Sequence, residues 1–427
     1  MIRYKFIFLL IAVTLFLLPG CYDAQEIDDV VHITTLGIDK GAANSWRLTV
    51  QFPSMKDAGS SGGGGSSGDG GGGDGEGEEY SVDGYSIVSI DAPSLFEGLD
   101  MLNASIQRRA NFSQTHVIVL SEELATTGLR DYISQIIGHF EIRRSAYLLL
   151  TKGTAHDFVK ANKPFVGSSL MKNYRIWIEQ SRVTGYFPYV TLGAFYEDMI
   201  SSTSQGIITI AAINDFSAFS EEGGEAVKST PGGGYKAGEV PRIGNNEIEL
   251  WGTALFNGDI MVAELDGDET RFLLMLRNEF SGGNLSVPKS ENSDDIISLS
   301  LKKSKPTKVS VKFVDSVPHI KVSVTLKGSL HNAQTSIDID QESHRTHLEA
   351  TCQDYIEKRL QQLIEKCQTL NTDVLNLGDA ATKNFLTIRQ LIDYDWNSKF
   401  KDSAVEVDVN LAIQNTGKLV KNQRIPY

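Results

Sequence analysis

Few residues of this chain stand at spacings that could carry chemistry. His344 and His347, three apart at the start of a helical stretch, could share a face for a metal, but no acid or cysteine is spaced to complete the ligand set. Asp266-Gly267-Asp268-Glu269 gathers carboxylates, yet a turn followed by an acidic first helical turn is what the helix dipole favours. His116 stands just before an apolar strand, the place of a hydrogen-bonded structural histidine. Trp177, Trp251 and Trp396 could line a sugar site, although core packing is the commoner use of such rings. Gly64-Gly65-Ser66-Ser67-Gly68 satisfies G-x-S-x-G, and Gly70 to Gly75 satisfies G-x-G-x-x-G. Neither lies between a strand and a helix, which both chemistries require. H-E-x-x-H, C-x-x-C and G-x-x-x-x-G-K-[ST] do not occur. The expectation is a chain with no catalytic, cofactor-binding or metal site.

The two glycine decoys share one segment. Gly59–Gly77 holds twelve of the chain's 39 glycines in nineteen residues, the rest being Ser, Asp and Glu. Nothing there can bury apolar surface to offset the ~1–2 kcal/mol per residue of ordering cost. It reads as a disordered loop. Asp69, Asp74, Glu76, Glu78 and Glu79 extend its acidity without the fixed spacing that preorganises a calcium loop. Over 427 residues the net charge is −14, with a pI near 5.1. That excludes the electrostatic footprint of a nucleic-acid binder and offers no overall attraction to an anionic membrane surface.

The N-terminus sets the compartment. Arg3 and Lys5 precede an apolar run from Phe6 to Leu18, interrupted by Thr14 alone. As a helix this run is ~20 Å long, short of the ~30 Å hydrocarbon core, so it reads as a signal peptide over 1–20. Leu18-Pro19-Gly20-Cys21 resembles a bacterial lipobox, with Pro19 an uncommon occupant. It implies cleavage before Cys21 and a diacylglycerol on its sulfur. Two acyl chains supply the double signal that stable anchoring needs. Loss of Arg3 and Lys5 would leave the mature chain at −16. No later window approaches eighteen continuous apolar residues, so the rest is expected to be extracytoplasmic and water-soluble.

Three blocks follow, of α+β class with mixed or antiparallel sheets and packed helices. The first, 22–202, carries a hairpin of Val30–Asp39 with Ser45–Phe52, a strand Tyr80–Ile90 and a helix opening at Pro93. Short strands at Val117–Leu120 and Ala146–Leu150 alternate with helices from Ser121, at Leu129–Ile137, Thr154–Asn162 and Ser168–Val183. The second, 203–281, has a strand Ile207–Phe216, a flexible loop 221–246, and strands Glu247–Phe256 and Ile260–Leu265. Asn257-Gly258 between them predicts a type I′ turn, and a helix Glu269–Asn278 ends the block. The third, 282–427, has strands Ile296–Lys302, Thr307–Val314 and Ile320–Leu326, helices at 341–370 and Asp379–Ile392, and a last strand Val405–Ile413. In the long helix Leu348, Cys352, Ile356, Leu360, Leu363, Ile364, Cys367 and Leu370 recur at helical spacing. Cys352 and Cys367, ~22 Å apart along it, cannot form a disulfide and read as free core thiols.

As an ordered set the residues resemble a family. Cys21-Tyr22-Asp23 with Glu26-Ile27 and Gly37-Ile38-Asp39 resembles the C-W-D-x-x-E-[LI]…G-[IV]-D opening of the Ger(x)C spore germination lipoproteins, with Tyr22 for Trp. His116–Val119 with Glu122–Ala125 and Gly128-Leu129, and Glu141–Arg144, resemble later family segments, although Gly138-His139-Phe140 replaces the usual Arg-Asp-Pro. Gly252–Phe256 with Glu269-Thr270-Arg271, Asp373–Gly378, and Trp396, Phe400 and Val405–Gly417 complete the series. The resemblance spans Leu18 to Gly417. It implies a non-enzymatic, three-domain lipoprotein on the outer face of a spore inner membrane. There it would be the C subunit of a nutrient germinant receptor, beside polytopic A and B subunits. It transfers no functional residue except the lipidated Cys21, and Gly59–Gly77 is an insertion relative to it. The rival expectation is a solute-binding lipoprotein of a transporter, against which stands the missing two-lobed α/β rhythm. A hydrolase would need a catalytic constellation that the residues do not supply.

Overall fold

The computed structural model describes residues 3–4, 29–54, 81–82, 84–164, 167, 169–220, 231–290, 295–333 and 342–415. The signal segment, Cys21 and the Gly59–Gly77 loop lie outside them. The strands are β1 Val30–His32, β2 Thr35–Lys40, β3 Trp46–Pro53, β4 Ser81–Val82, β5 Tyr85–Ala92, β6 Arg109–Asn111, β7 Val117–Ser121 and β8 Tyr147–Thr151. They continue as β9 Ile207–Ile213, β10 Ile248–Asn257, β11 Ile260–Leu265, β12 Gly282–Pro288, β13 Ile296–Val314, β14 Val317–Ala333 and β15 Ala404–Asn415. Among the described residues, no helix is long and apolar enough to cross a membrane. The class is α+β, as expected.

A nine-stranded sheet runs β11-β10-β9-β8-β7-β2-β3-β5-β4. Its centre, β2, β7, β8 and β9, is parallel, and antiparallel strands flank it on both sides. Of the central strands, β7, β8 and β9 are nearly continuous apolar runs because both faces are covered. Ile118, Leu120, Leu148 and Leu150 enter one core with the helices Leu95–Ser105, Arg130–Gly138 and Leu192–Met199. Val117, Val119 and Leu149 enter another with Ala155–Ala161 and Leu170–Glu179. The strands before and after residue 202 are hydrogen-bonded neighbours, with Leu149 opposite Thr209, so the sheet continues across that expected block boundary.

The four-stranded sheet β12-β13-β14-β15 ends in a parallel pair, β14 with β15, bridged by the helix Glu342–Thr369. Leu348, Cys352, Ile356, Leu360, Leu363, Ile364 and Cys367 of that helix are buried, the face expected from its periodicity. Both thiols are free.

Several expectations are corrected. The first expected strand breaks at Ile33-Thr34, because β1 leaves the main sheet to pair in parallel with β6. The helix expected to open at Pro93 opens at Leu95, two residues later, with Ser94 as its cap accepting from the Glu97 N–H. Register sets Asn257 opposite Ile260, and Gly258 is the turn's one positive-φ residue at 63°. That is the II′ pattern, not I′. The two strands expected around Pro306 are one strand, β13, bent by register shifts at Lys303/Lys305 and Lys305/Lys308. Extended Phe385 and Thr387 break the expected helix Asp379–Ile392 into short turns over 378–384 and a separate helix Ile388–Tyr394, which left-handed Asp395 ends. The strand β12 and the helix Leu192–Met199 carried no sequence expectation. Residues 231–246, expected to be flexible, are fastened: Arg242 donates to Glu249, Asn246 O, Glu247 O and Ile248 O, and Lys152 donates to Ala237 O.

Candidate functional site

The motif residues can be followed to three joints. At the first, Gly37 sits in β2 beneath the helix Ala155–Ala161. A Cβ there would lie 3.3 Å from the Ala155, Thr49 and Val159 side chains, so glycine lets the helix settle on the sheet without those neighbours giving way by a few tenths of an ångström. Two residues on, the buried Asp39 carboxylate accepts the first two N–H groups of that helix, Ala155 at 2.6 Å and His156 at 3.0 Å. An acid at a helix N-terminus satisfies orphan donors and the dipole together. Burial raises its pKa, and those two N–H groups oppose the rise.

At the second, Gly252 takes φ 77° where β10 loses register with β9. Asp266 and Glu269 then form a capping box at the helix Gly267–Leu276. Glu269 has a further use: both its oxygens lie 2.8 Å from Lys366 Nζ on the long helix. Buried Arg271 stacks its guanidinium 3.7 Å from the Tyr186 ring centroid, and Tyr186 stacks on Trp251. Burial lowers the Arg271 pKa, with Tyr186 and Asp268 opposing.

The third joint is a knot around Asp373–Gly378. Asp373 is fully buried. Its Oδ1 accepts from the N–H groups of Leu375 and Leu377 (both 3.2 Å), and its Oδ2 from Gly378 N–H (2.7 Å) and the Trp396 indole (2.8 Å). Burial pushes its carboxyl up to about 6 against the pull of those donors. Asn376 turns the chain with φ 59°. Gly378 is pressed against Thr203 O and the Trp396 indole, where a Cβ would collide. Arg277 reaches in from the end of the helix Gly267–Leu276. It donates to Val374 O (2.8 Å), Asn376 Oδ1 (2.9 Å), Asp198 Oδ2 (3.1 Å) and Glu279 Oε1 (2.8 Å). Burial works against its charge, but Glu279 and Asp198 outweigh that and raise its pKa. Gln205 N–H donates to Asp373 O, Thr203 to Asp379, and Thr372 to Phe256 O. Residues from all three expected blocks therefore meet here. Sequence reasoning marked Asp373–Gly378 and Trp396 but missed Arg277 and Asp198, whose partners lie at sequence separations of 97 and 79.

None of the joints presents a free nucleophile or an open acid–base pair. Among the described residues no group of three His, Cys, Asp or Glu could hold a metal, and His344 and His347 lie exposed on the long helix. His116 holds β7 in place through its backbone, donating N–H to Thr34 O and accepting from Tyr147 N–H. The tryptophans serve separate places: Trp396 in the knot, Trp251 on Tyr186, and Trp177 beside a cleft of about 700 Å³ that also holds Lys163, Asn173 and Ile248. Burial pushes the Cys352 thiol up to about 12 and raises that of Cys367, so both are inert apolar groups.

Residues 23–213 match the family model for the spore germination protein N-terminal domain, and residues 251–417 match that for the spore germination B3/GerAC like C-terminal region. Spore germination protein B3 of Bacillus subtilis (strain 168) is 24% identical over 95% of this chain and 96% of its own. Spore germination protein KC of the same strain is 20% identical over 98% and 97%. The solved structure of the GerBC protein, 17% identical, aligns over 89% of this chain and 97% of that chain with a TM-score of 0.48. Together the two matches enclose the motif residues Gly37, Asp39, Glu269, Arg271, Asp373 and Gly378 that build the joints, and the chain belongs to the Ger(x)C family of spore germination proteins.

Proposed function

We propose that this chain is a non-enzymatic, lipid-anchored subunit of a spore nutrient germinant receptor, acting as scaffold for polytopic membrane subunits on the extracytoplasmic face of the spore inner membrane. One observation carries the reading: the motif residues Gly37, Asp39, Glu269, Arg271, Asp373 and Gly378 are all consumed in internal joints. A family pattern spent on rigidity suits a body that presents surfaces, not one that turns over substrate. Diacylglycerol on Cys21 confines that body to a thin layer and raises its effective concentration against membrane partners. The test is the full chain with Cys21→Ala in its own spores. Loss of the chain from the membrane fraction, slowed nutrient germination, and co-purification of two polytopic subunits with the parent chain are expected. Full germination by the variant, or a parent chain that purifies without them, overturns the reading.

A further inference from the structure

The four-stranded sheet has one face packed on the long helix and one face bare. On β14 the even-numbered residues Ile320, Val322, Val324 and Leu326 are buried, and the odd-numbered ones point the other way. Opposite those odd residues stand Lys302 (facing Lys327), Lys305 (facing Thr325), Lys308 (facing Ser323), Ser310 (facing Lys321) and Lys312 (facing His319). Lys302, Lys308 and Lys312 share one parity, and the two register shifts in β13 bring Lys305 to the same side, where an unbroken pleat would have sent it inward. All six lysines are exposed. On β15 the same face adds Glu406 and Asp408, opposite Lys321 and Ser323. Six lysines against two carboxylates leave this face at +4 on a chain whose net charge is −14. Lys321 pairs with Glu406 at 2.9 Å; the other five lysines make no ion pair among the described residues.

The lysine face ends in apolar surface. Val314 and Val317, at the tip of the β13–β14 hairpin, are 51% and 38% exposed. Beside them Phe313, Phe385 and Tyr394 form an aromatic cluster with centroids 5.2–5.6 Å apart, and Tyr394 donates to Ser316 O on the tip. Phe313, between Lys312 and Val314, points to the packed side, so Leu386, Ile388 and Ile392, at 93%, 77% and 58% exposure, flank the tip from behind, and Val314 and Val317 are the aliphatics that share the lysine face.

We propose that this face docks on an anionic phospholipid surface, with the lysines over the headgroups and the aliphatic tip in the interfacial layer. The face is built of lysines without a single arginine. Point charges on flexible stems suit a diffuse field of headgroups, whereas bidentate recognition of an acidic protein would favour Arg. Adjacent exposed aliphatics are the second half of an interfacial binder. The acidic remainder of the chain then faces away, so the charge asymmetry sets an orientation that a lipid tether alone leaves free. The proposal deepens the tethered-subunit reading and rests on it for its setting.

The test uses the full chain carrying Cys21→Ala, so that no acyl group contributes, in sedimentation with phosphatidylglycerol–phosphatidylcholine vesicles and with phosphatidylcholine alone. Binding is read as a partition coefficient at lipid concentrations below saturation, where the N-terminal apolar segment enters every variant as the same factor. Binding is expected to favour the anionic vesicles and to weaken with salt. Lys308→Gln, Lys312→Gln and Lys321→Gln together are expected to lower it about tenfold or more. Glu406→Gln with Asp408→Asn should raise it, and Val314→Ser with Val317→Ser should remove the part that survives high salt. All these side chains are exposed, and an unchanged melting curve shows each variant folded. Equal binding to both vesicles, or a lysine variant that binds like its parent, overturns the proposal, and is the outcome if the face serves an acidic protein instead. Because Cys21 is absent throughout, failure here leaves the tether reading standing, and a dispensable Cys21 in spores leaves this result standing.

Discussion

The Trp396 indole N–H meets Asp373 Oδ2 at 2.8 Å, and both residues are wholly buried where the three blocks of the chain converge. The carboxylate has four donors and no spare lone pair facing apolar atoms, so it acts as a fixed acceptor around which the Asp373–Gly378 turn is wound. Asp373→Asn exchanges one oxygen for an amide that faces N–H donors. The expected loss is ~2–4 kcal/mol, against ~1–3 kcal/mol for Trp396→Phe, which removes one donor and leaves the turn. Urea unfolding of the two variants measures both; equal costs would mean the turn does not depend on its acceptor.

Gly378→Ala drives a methyl into Thr203 O and the Trp396 ring. The neighbours are backbone and a locked indole, so relief requires moving the turn itself. A cost of ~2–4 kcal/mol is expected, with a lowered thermal midpoint. Gly138→Ala, at a helix end with nothing within 4 Å, is the control and should be near neutral.

Arg47 holds Asp91 through Nε at 2.7 Å and Nη2 at 3.0 Å, and the Ala42 and Ala43 N–H groups donate to the same carboxylate. Together they bring its pKa down to about 2 from 3.8. A depressed folded-state pKa contributes stability that is complete above the unfolded value and lost as pH falls through the folded one. Urea midpoints should therefore fall between pH 4 and pH 2 more steeply for the parent than for Asp91→Asn. Parallel curves for the two chains would refute this.

Cys352 and Cys367 are buried on the inner face of the long helix. A thiol reagent at neutral pH is expected to find neither in the native chain and both once urea unfolds it. Any thiol titrated in the native protein from membranes would have to be an unacylated Cys21, which makes the same assay a count of the anchor.

What could be read from sequence followed local physics. The long helix, the central strands and the Asp266–Glu269 cap were legible because periodicity and end chemistry are written within a turn or two of each residue. The knot was legible only as a string, Asp373 to Gly378. Its meaning lies in Arg277, Asp198 and Thr203, which no short-range pattern ties to it. The broken helix after Asp379 misled because Ile388 and Ile392 keep helical spacing while facing solvent, and nothing in the sequence marks the extended backbone at Phe385. The lysine face stayed hidden behind the net charge, since a sum over the chain erases the pleat that segregates it. It was β13's register shifts, invisible in composition, that put Lys305 on the side of Lys302, Lys308 and Lys312.

The parallel pairing of β14 with β15 sets a timetable. Lys321 and Glu406, neighbours in that ladder, are 85 residues apart, and the long helix must form and lie down before the last strand can slot beside its partner. Loop closure over such a span comes late and slowly. In a chain threaded across a membrane from its N-terminal end, the nine-stranded sheet can mature first. The six lysines stand on β13 and β14 and the knot reaches only to Trp396, all ahead of β15, so a polypeptide halted there keeps the basic residues but lacks Glu406 and Asp408 and leaves the edge of β14 unpaired.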